Sequence, residues 1–182
     1  MGAAAYLKQL EELDLTDGFW DVALPAALET TSLSSPYFQT YIASQVASGA
    51  RGFLSKAITV ATMRQQSGDI HHLVPKDYLQ KNGFPDRGDY NQVANFALTE
   101  TSINVSISNR SPADYMSLVD GQIADGDLRL GEIVDALDLE RNLAENAIPD
   151  GFRSVDAVAF PDFLVERRQL MAAAVRHYYD RL

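Results

Sequence analysis

The sequence predicts an α+β fold, in which a mostly helical domain contains one small hairpin of two strands. Three observations support this prediction. Several segments carry apolar residues at helical spacing. Two short segments with strand character flank a loop rich in glycine, proline and asparagine. The 182 residues are 46% hydrophobic and 22% charged, which is the composition of a globular domain with a sizeable core.

The first third of the chain is predicted to be helical. Residues 3–14 carry leucines at helical spacing, and a second helix is expected from Tyr37 to Ser48. This second helix would begin at Pro36, because proline is favoured in a first turn, and would stop at Gly49. Its helical spacing predicts that it buries the following residues: Tyr37, Tyr41, Ile42 and Val46.

The centre of the chain has the order strand, loop, strand, helix. Residues 68–75 predict a short strand closed by proline, and residues 95–99 predict a second one. Residues 76–80 predict one helical turn, and the breaker residues at 82–89 predict a loop. A short helix from 100 to 107 follows the second strand.

Three longer helices are predicted after this central unit. We therefore expect a helical lead-in, followed by one domain with a ββα core and C-terminal helices. The predicted helices cover residues 111–124, 131–147 and 160–182. The corresponding divisions are 1–34 for the lead-in, 35–182 for the domain, about 68–110 for the core and 111–182 for the closing helices.

Charge is distributed unevenly along the chain. The net charge of −10 argues against a nucleic-acid-binding protein taken as a whole. Residues 51–110, however, contain seven basic and five acidic residues, so this segment is +2 and the remainder is −12. Basic side chains in the segment are candidates for phosphate contacts. These candidates are Lys76, Lys81, Arg87 and Arg110.

The composition also limits the chemistry and the compartment. The absence of cysteine excludes disulfides, thiolate zinc sites and cysteine nucleophiles. It fits a cytoplasmic protein. The longest apolar runs are too short to cross a membrane, so no membrane association is expected.

Two of the three histidines are adjacent, at His71 and His72 on the first predicted strand. Neighbouring side chains on a strand point to opposite faces, so the two are expected to have different roles unless a bulge turns one of them. One could reach a metal ion while the other reaches a water molecule, since neutral imidazole is both a ligand and a base near pH 7.

Four of the asparagines after this strand form a candidate set, namely Asn91, Asn95, Asn104 and Asn109. Asn95 opens the second strand and Asn104 lies on the helix after it. An asparagine oxygen can bind a hard cation or hold a histidine in one tautomer. A histidine on the first strand and an asparagine on the helix form a ββα-metal hairpin, which can hold one Mg²⁺ with few protein ligands. Asn91 competes with Asn95 for the histidine, and Asn109 is a better candidate for a helix cap.

The segments that carry these residues resemble the HNH nuclease signature. The similarity is greatest to the C-terminal HNH domain of GmrSD-type restriction endonucleases, and it extends from about Ser35 to the C-terminus. The segments that carry it are GDIHHLVPKDYL (68–79), YNQVANF (90–96), INVSISNRSPADY (103–115) and FPDFLVERRQL (160–170).

This resemblance implies a role for each residue of the set. His72 would be the general base that activates water, and Asn95 would orient it. His71 and Asn104 would bind the metal ion. Family members carry either an acid or a histidine before the base, so Asp69 stays an alternative ligand. Mg²⁺ or Mn²⁺ suits oxygen-rich ligands, although histidine also admits Ni²⁺ or Zn²⁺.

The resemblance also implies a function and a partner. The chain would be a DNA-nicking effector of a bacterial antiphage restriction system. Its partner would be an N-terminal nucleotide-hydrolysing sensor domain, since this sequence has no phosphate-binding loop of the Gly-x-x-x-x-Gly-Lys-Ser/Thr type. Two alternatives stay open. One is an RNase or toxin nuclease, and the other is a non-catalytic docking domain with a degenerate metal site.

Overall fold

A computed structural model describes residues 2–66 and 68–182 of the chain. It confirms an α+β fold that is mostly helical and contains a two-stranded antiparallel sheet. The helices before the sheet are α1 (Ala3–Asp14), α2 (Leu24–Ala27), α3 (Pro36–Ser48) and α4 (Val60–Gln65). The sheet and the helices between its strands are β1 (Asp69–His72), α5 (Lys76–Lys81), α6 (Arg87–Tyr90) and β2 (Phe96–Thr99). The closing helices are α7 (Thr101–Ile107), α8 (Pro112–Asp125), α9 (Ala136–Glu145) and α10 (Phe160–Tyr179).

The strands pair so that the two histidines point to opposite sides of the sheet. His71 lies opposite Ala97 and His72 lies opposite Phe96. The expected alternation is therefore confirmed, and no bulge turns either ring. Because α7 follows β2 directly and packs on β1, its residues face the side of the sheet that carries His71.

Helix α3 has the predicted limits, and Gly49 ends it with a left-handed φ of 71°. Its buried face was predicted only in part. Tyr41 and Ile42 are buried, whereas Tyr37 and Val46 are each 41% exposed. The helix packs against α10, and its buried residues are Phe38, Tyr41, Ile42, Ser44 and Gln45.

Two other predicted limits were wrong. The predicted loop at 82–89 runs into α6, a single helical turn that begins at Arg87 and buries Tyr90. The helix predicted from Gly131 begins only at Ala136. Gly131 adopts a left-handed φ of 65°, and the Asp135 side chain accepts a hydrogen bond from the backbone N–H of Asp138 as the helix cap.

The N-terminal segment packs on the same core as the closing helices. A π-helical turn (Phe19–Ala23) and α2 lie against α10, and they bury Trp20, Leu24 and Leu28. α10, near the C-terminus, therefore packs against elements of the N-terminal third of the chain and against residues 93–95. Among the residues described, no helix combines the length and apolar character needed to cross a membrane.

We predict that Asn142→Ala destabilises the fold by about 2–4 kcal/mol in urea unfolding. Asn142 is completely buried on α9, and its side chain holds the loop before α4. Its oxygen accepts from the N–H of Leu54 at 2.8 Å, while its amide donates to the carbonyls of Gly52 and Ser55 at 2.9 and 3.2 Å. Alanine leaves these buried groups unpaired. Glu140→Ala, at an exposed position of the same helix, is the control. If Asn142→Ala lost no more free energy of unfolding than Glu140→Ala, the prediction would be wrong.

We predict that Ser108→Gly raises the free energy of unfolding by about 1 kcal/mol. Ser108 ends α7 with φ 54° and ψ −127°, and the N–H of Arg110 donates to the carbonyl of Ile107 across it. This is the first central position of a type II′ turn, which favours glycine. Ser106→Gly within α7 is the matched control and should lose about 1 kcal/mol instead. If both variants lost the same free energy of unfolding, the backbone at Ser108 would not be strained.

Candidate functional site

Three polar side chains meet between β1 and α7. The Nδ1 atom of His71 lies 2.8 Å from Oδ1 of Asn104, and Nδ2 of Asn104 lies 3.2 Å from Oδ2 of Asp69. The structure therefore brings together all three predicted metal ligands. Asn104 and Asp69 are half-buried, so that this group borders the surface.

His71 occupies an aromatic environment. Its ring is 3% exposed, stacks on Phe53 at 5.9 Å between centroids, and meets the edge of Tyr115 at 6.4 Å. Burial lowers its pKa to about 4, although the hydrogen bond with Asn104 opposes this effect. The ring is therefore neutral near pH 7, which is the form that binds a cation.

The donor set fits a divalent cation that accepts nitrogen and oxygen. The described residues contain no cluster of three or more histidine, aspartate or glutamate side chains, so an amide must supply one donor here. In the structure Nδ1 of His71 donates to the amide oxygen of Asn104, so binding a cation through Nδ1 would require the ring hydrogen to move to Nε2. In the described part of the chain this atom is buried without a partner, so the affinity should be modest.

His72 lies on the other face of β1 and is half-buried. Its Nε2 lies 2.8 Å from Oδ1 of Asn91. Because an amide oxygen only accepts hydrogen bonds, Nε2 carries the hydrogen and Nδ1 is left as the basic atom. The ring lies edge-to-face with Phe96 at 4.9 Å and is tilted against Tyr90 at 6.1 Å.

Three causes act on the pKa of His72. Burial lowers it most, the hydrogen bond with Asn91 raises it, and the charge of Lys76 lowers it. The net shift is downward, so the ring is mostly unprotonated near pH 7. It can therefore accept a proton at Nδ1.

Asn91, rather than Asn95, holds the His72 ring, which corrects the prediction. Asn95 is completely buried and bonds to backbone instead. Its oxygen accepts from the N–H of Val74 at 2.9 Å, and its amide donates to the carbonyls of Val74 and Tyr90. It thereby joins the segment after His72 to the segment before Asn91. The sequence signal for Asn91 is its position directly after α6, a helix that the prediction missed.

The four predicted phosphate contacts differ in their surroundings. Lys76 lies beside His72, with its Nζ atom 5.8 Å from the centre of the Tyr90 ring. Lys81 and Arg87 are exposed at the end of α5 and the start of α6. Arg110 instead donates to the carbonyls of Ser106 and Ile107 at the end of α7, where it caps the helix.

Comparisons of the chain with protein-family models, with curated proteins and with solved structures found no match.

Proposed function

We propose that the chain is a metal-dependent HNH endonuclease that hydrolyses phosphodiester bonds in DNA and cuts one strand at a time. One observation carries the proposal. His71 and Asn104 approach to 2.8 Å across a strand–strand–helix unit. The adjacent His72 is held by Asn91 through Nε2, and its Nδ1 has no hydrogen-bond partner among the described residues. A purely structural histidine pair does not require this division of roles.

His71, Asn104 and Asp69 would hold the cation, with Mg²⁺ or Mn²⁺ as the expected ion. When bound, the cation supplies positive charge that stabilises the scissile phosphate and the leaving oxygen. Burial keeps the His71 ring neutral near pH 7, and the hydrogen bond between Asn104 and Asp69 fixes the amide so that its oxygen faces the ring. Nδ1 of His71 donates to that oxygen, so cation binding through Nδ1 would require the ring hydrogen to lie on Nε2 instead.

His72 would be the general base. Its Nδ1 accepts a proton from water as the water oxygen attacks phosphorus, and the bond from phosphorus to the leaving oxygen breaks. The hydrogen bond from Nε2 to Asn91 fixes the tautomer and stabilises the imidazolium that forms. Lys76, next to His72, is suited to contact the phosphate backbone.

The charge distribution limits how DNA would be held. Outside residues 51–110 the chain carries −12, so DNA contacts should concentrate on the central segment, where Lys76, Lys81 and Arg87 lie on the connection between the strands. Arg110 contributes only if it leaves its helix cap. One such unit cuts one strand, which predicts nicks in duplex DNA.

The setting we propose is bacterial antiphage restriction, with a nucleotide-hydrolysing sensor domain as partner.

The test is an incubation of supercoiled plasmid with the chain in Mg²⁺, Mn²⁺ or EDTA, beside structured RNA of equal phosphate concentration. We expect open-circular plasmid only with metal and little change in the RNA. Cleavage of RNA with intact plasmid would favour the RNase alternative. Intact plasmid and intact RNA with both metals, in the presence of the sensor domain, would refute the nuclease.

A further inference from the structure

Arg167 of α10 is completely buried, which is unusual for an arginine. It is 1% exposed and is among the largest fully buried side chains of the described residues. No carboxylate in the described part of the chain forms an ion pair with it. Its Nε atom is buried without a partner there. Burying an unpaired charge is costly, and an apolar side chain could fill the same volume at lower cost.

The hydrogen bonds of Arg167 point to a specific role. Nη1 donates to the carbonyl of Ala94 at 2.8 Å, and Nη2 donates to the carbonyl of Asn146 at 3.2 Å. Ala94 lies between Asn91, which holds His72, and Asn95, which bonds Val74 and Tyr90. A single guanidinium from the last helix therefore fixes the backbone of the segment that supports the His72 ring.

We propose that Arg167 is a positioning residue for His72, acting through Ala94 and Asn91. This inference rests on the proposed function, since it assigns His72 its catalytic orientation. Without the bond to Ala94, residues 91–95 can shift relative to β1, and the Asn91 oxygen then moves away from Nε2. Displacements of about 1 Å at a catalytic group can cost about 100-fold in rate.

The test uses Arg167→Met, which keeps an unbranched apolar stem in the place of the arginine stem but removes the guanidinium and its donors. The chain has only three histidines, so ¹⁵N labelling of histidine gives a simple spectrum of ring nitrogens at one pH. In the wild type we expect His72 to show one protonated and one unprotonated nitrogen. In the variant the two ring-nitrogen signals of His72 should move toward each other. The reason is that, without the Asn91 oxygen close to Nε2, the two tautomers of the ring exchange. Nicking should fall about 10- to 100-fold, with DNA affinity unchanged.

Arg176→Met is the matched control. Arg176 lies on the same helix, but it pairs with Asp17 at the surface, and none of its hydrogen bonds or ion pairs among the described residues involves residues 91–95. Its variant should keep the wild-type His72 signals and nicking rate. If Arg167→Met folds poorly, spectra are recorded in trimethylamine N-oxide, which favours the folded state. Arg167→Gln, whose shorter side chain should reach neither carbonyl, is then measured beside it.

The two hypotheses fail in different ways. If either folded Arg167 variant keeps the wild-type His72 signals, the positioning role is wrong, whatever the nicking rate. If the wild type does not cut DNA even in the presence of the sensor domain, but Arg167→Met changes the His72 signals, the proposed function is wrong and the structural link to His72 stands.

Discussion

His72→Ala is expected to reduce metal-dependent nicking of supercoiled DNA by about 100- to 10,000-fold, the usual contribution of a general base. Alanine removes the Nδ1 atom that accepts the proton from water. It leaves the cation-binding group intact, because His71, Asn104 and Asp69 lie on the other face of β1. The measurement is the initial rate of open-circle formation in Mn²⁺.

His177→Ala is the control for this variant. His177 is exposed on α10, and its ring contacts Arg181 rather than the site. It should cut at the wild-type rate. If His72→Ala nicked DNA at a rate within about threefold of the wild type, His72 would not be the general base. The nuclease hypothesis would then need a different proton acceptor.

Asn104→Ala is expected to weaken Mn²⁺ binding by at least about tenfold and to reduce nicking by about 100-fold. The substitution removes the oxygen that faces His71 and releases the carboxylate of Asp69. Titration calorimetry with Mn²⁺ gives a readout that does not depend on activity. The nicking rate of Asn104→Ala should recover in part at high Mn²⁺ concentration, because a higher concentration fills a weakened site by mass action.

Asn109→Ala provides the matched comparison for Asn104→Ala. Asn109 is an exposed asparagine in the turn after α7, on the same segment of the chain. We expect wild-type Mn²⁺ affinity and wild-type nicking. Unchanged Mn²⁺ affinity in Asn104→Ala would show that the amide is not a ligand. It would favour the docking-domain alternative if nicking were also absent from the wild type.

Local signals predicted most of the elements around the site. Pro75 closes the segment that contains β1, and Gly49 ends α3. Ser111, rather than the predicted Asn109, caps α8 by accepting from the N–H of Asp114, although the Ser-Pro start of that helix was predicted. Each signal acts within a few residues, so sequence spacing was enough to find it. The pairing of β1 with β2 and the approach of Asn104 to His71 were predicted from the ββα order and the family resemblance.

Contacts between distant segments could not be predicted in the same way. The aromatic environment of His71 needs Phe53 and Tyr115, which come from segments before β1 and after α7. Asn91 and Asn95 have the same side chain, and only the turn of α6 decides which of them meets His72. Arg167 lies among charged residues in the sequence and would be assigned to the surface, although the structure buries it completely.

The N-terminal segment has a consequence for how the nuclease unit can be isolated. The carbonyl of Thr30 accepts from the N–H of Val93 at 2.8 Å, directly beside the residue that Arg167 holds. A fragment that starts at residue 35 keeps every proposed catalytic residue but loses this bond and the packing of Trp20 and Leu28. A minimal working fragment should therefore begin before Trp20, even though no residue of that region takes part in the chemistry.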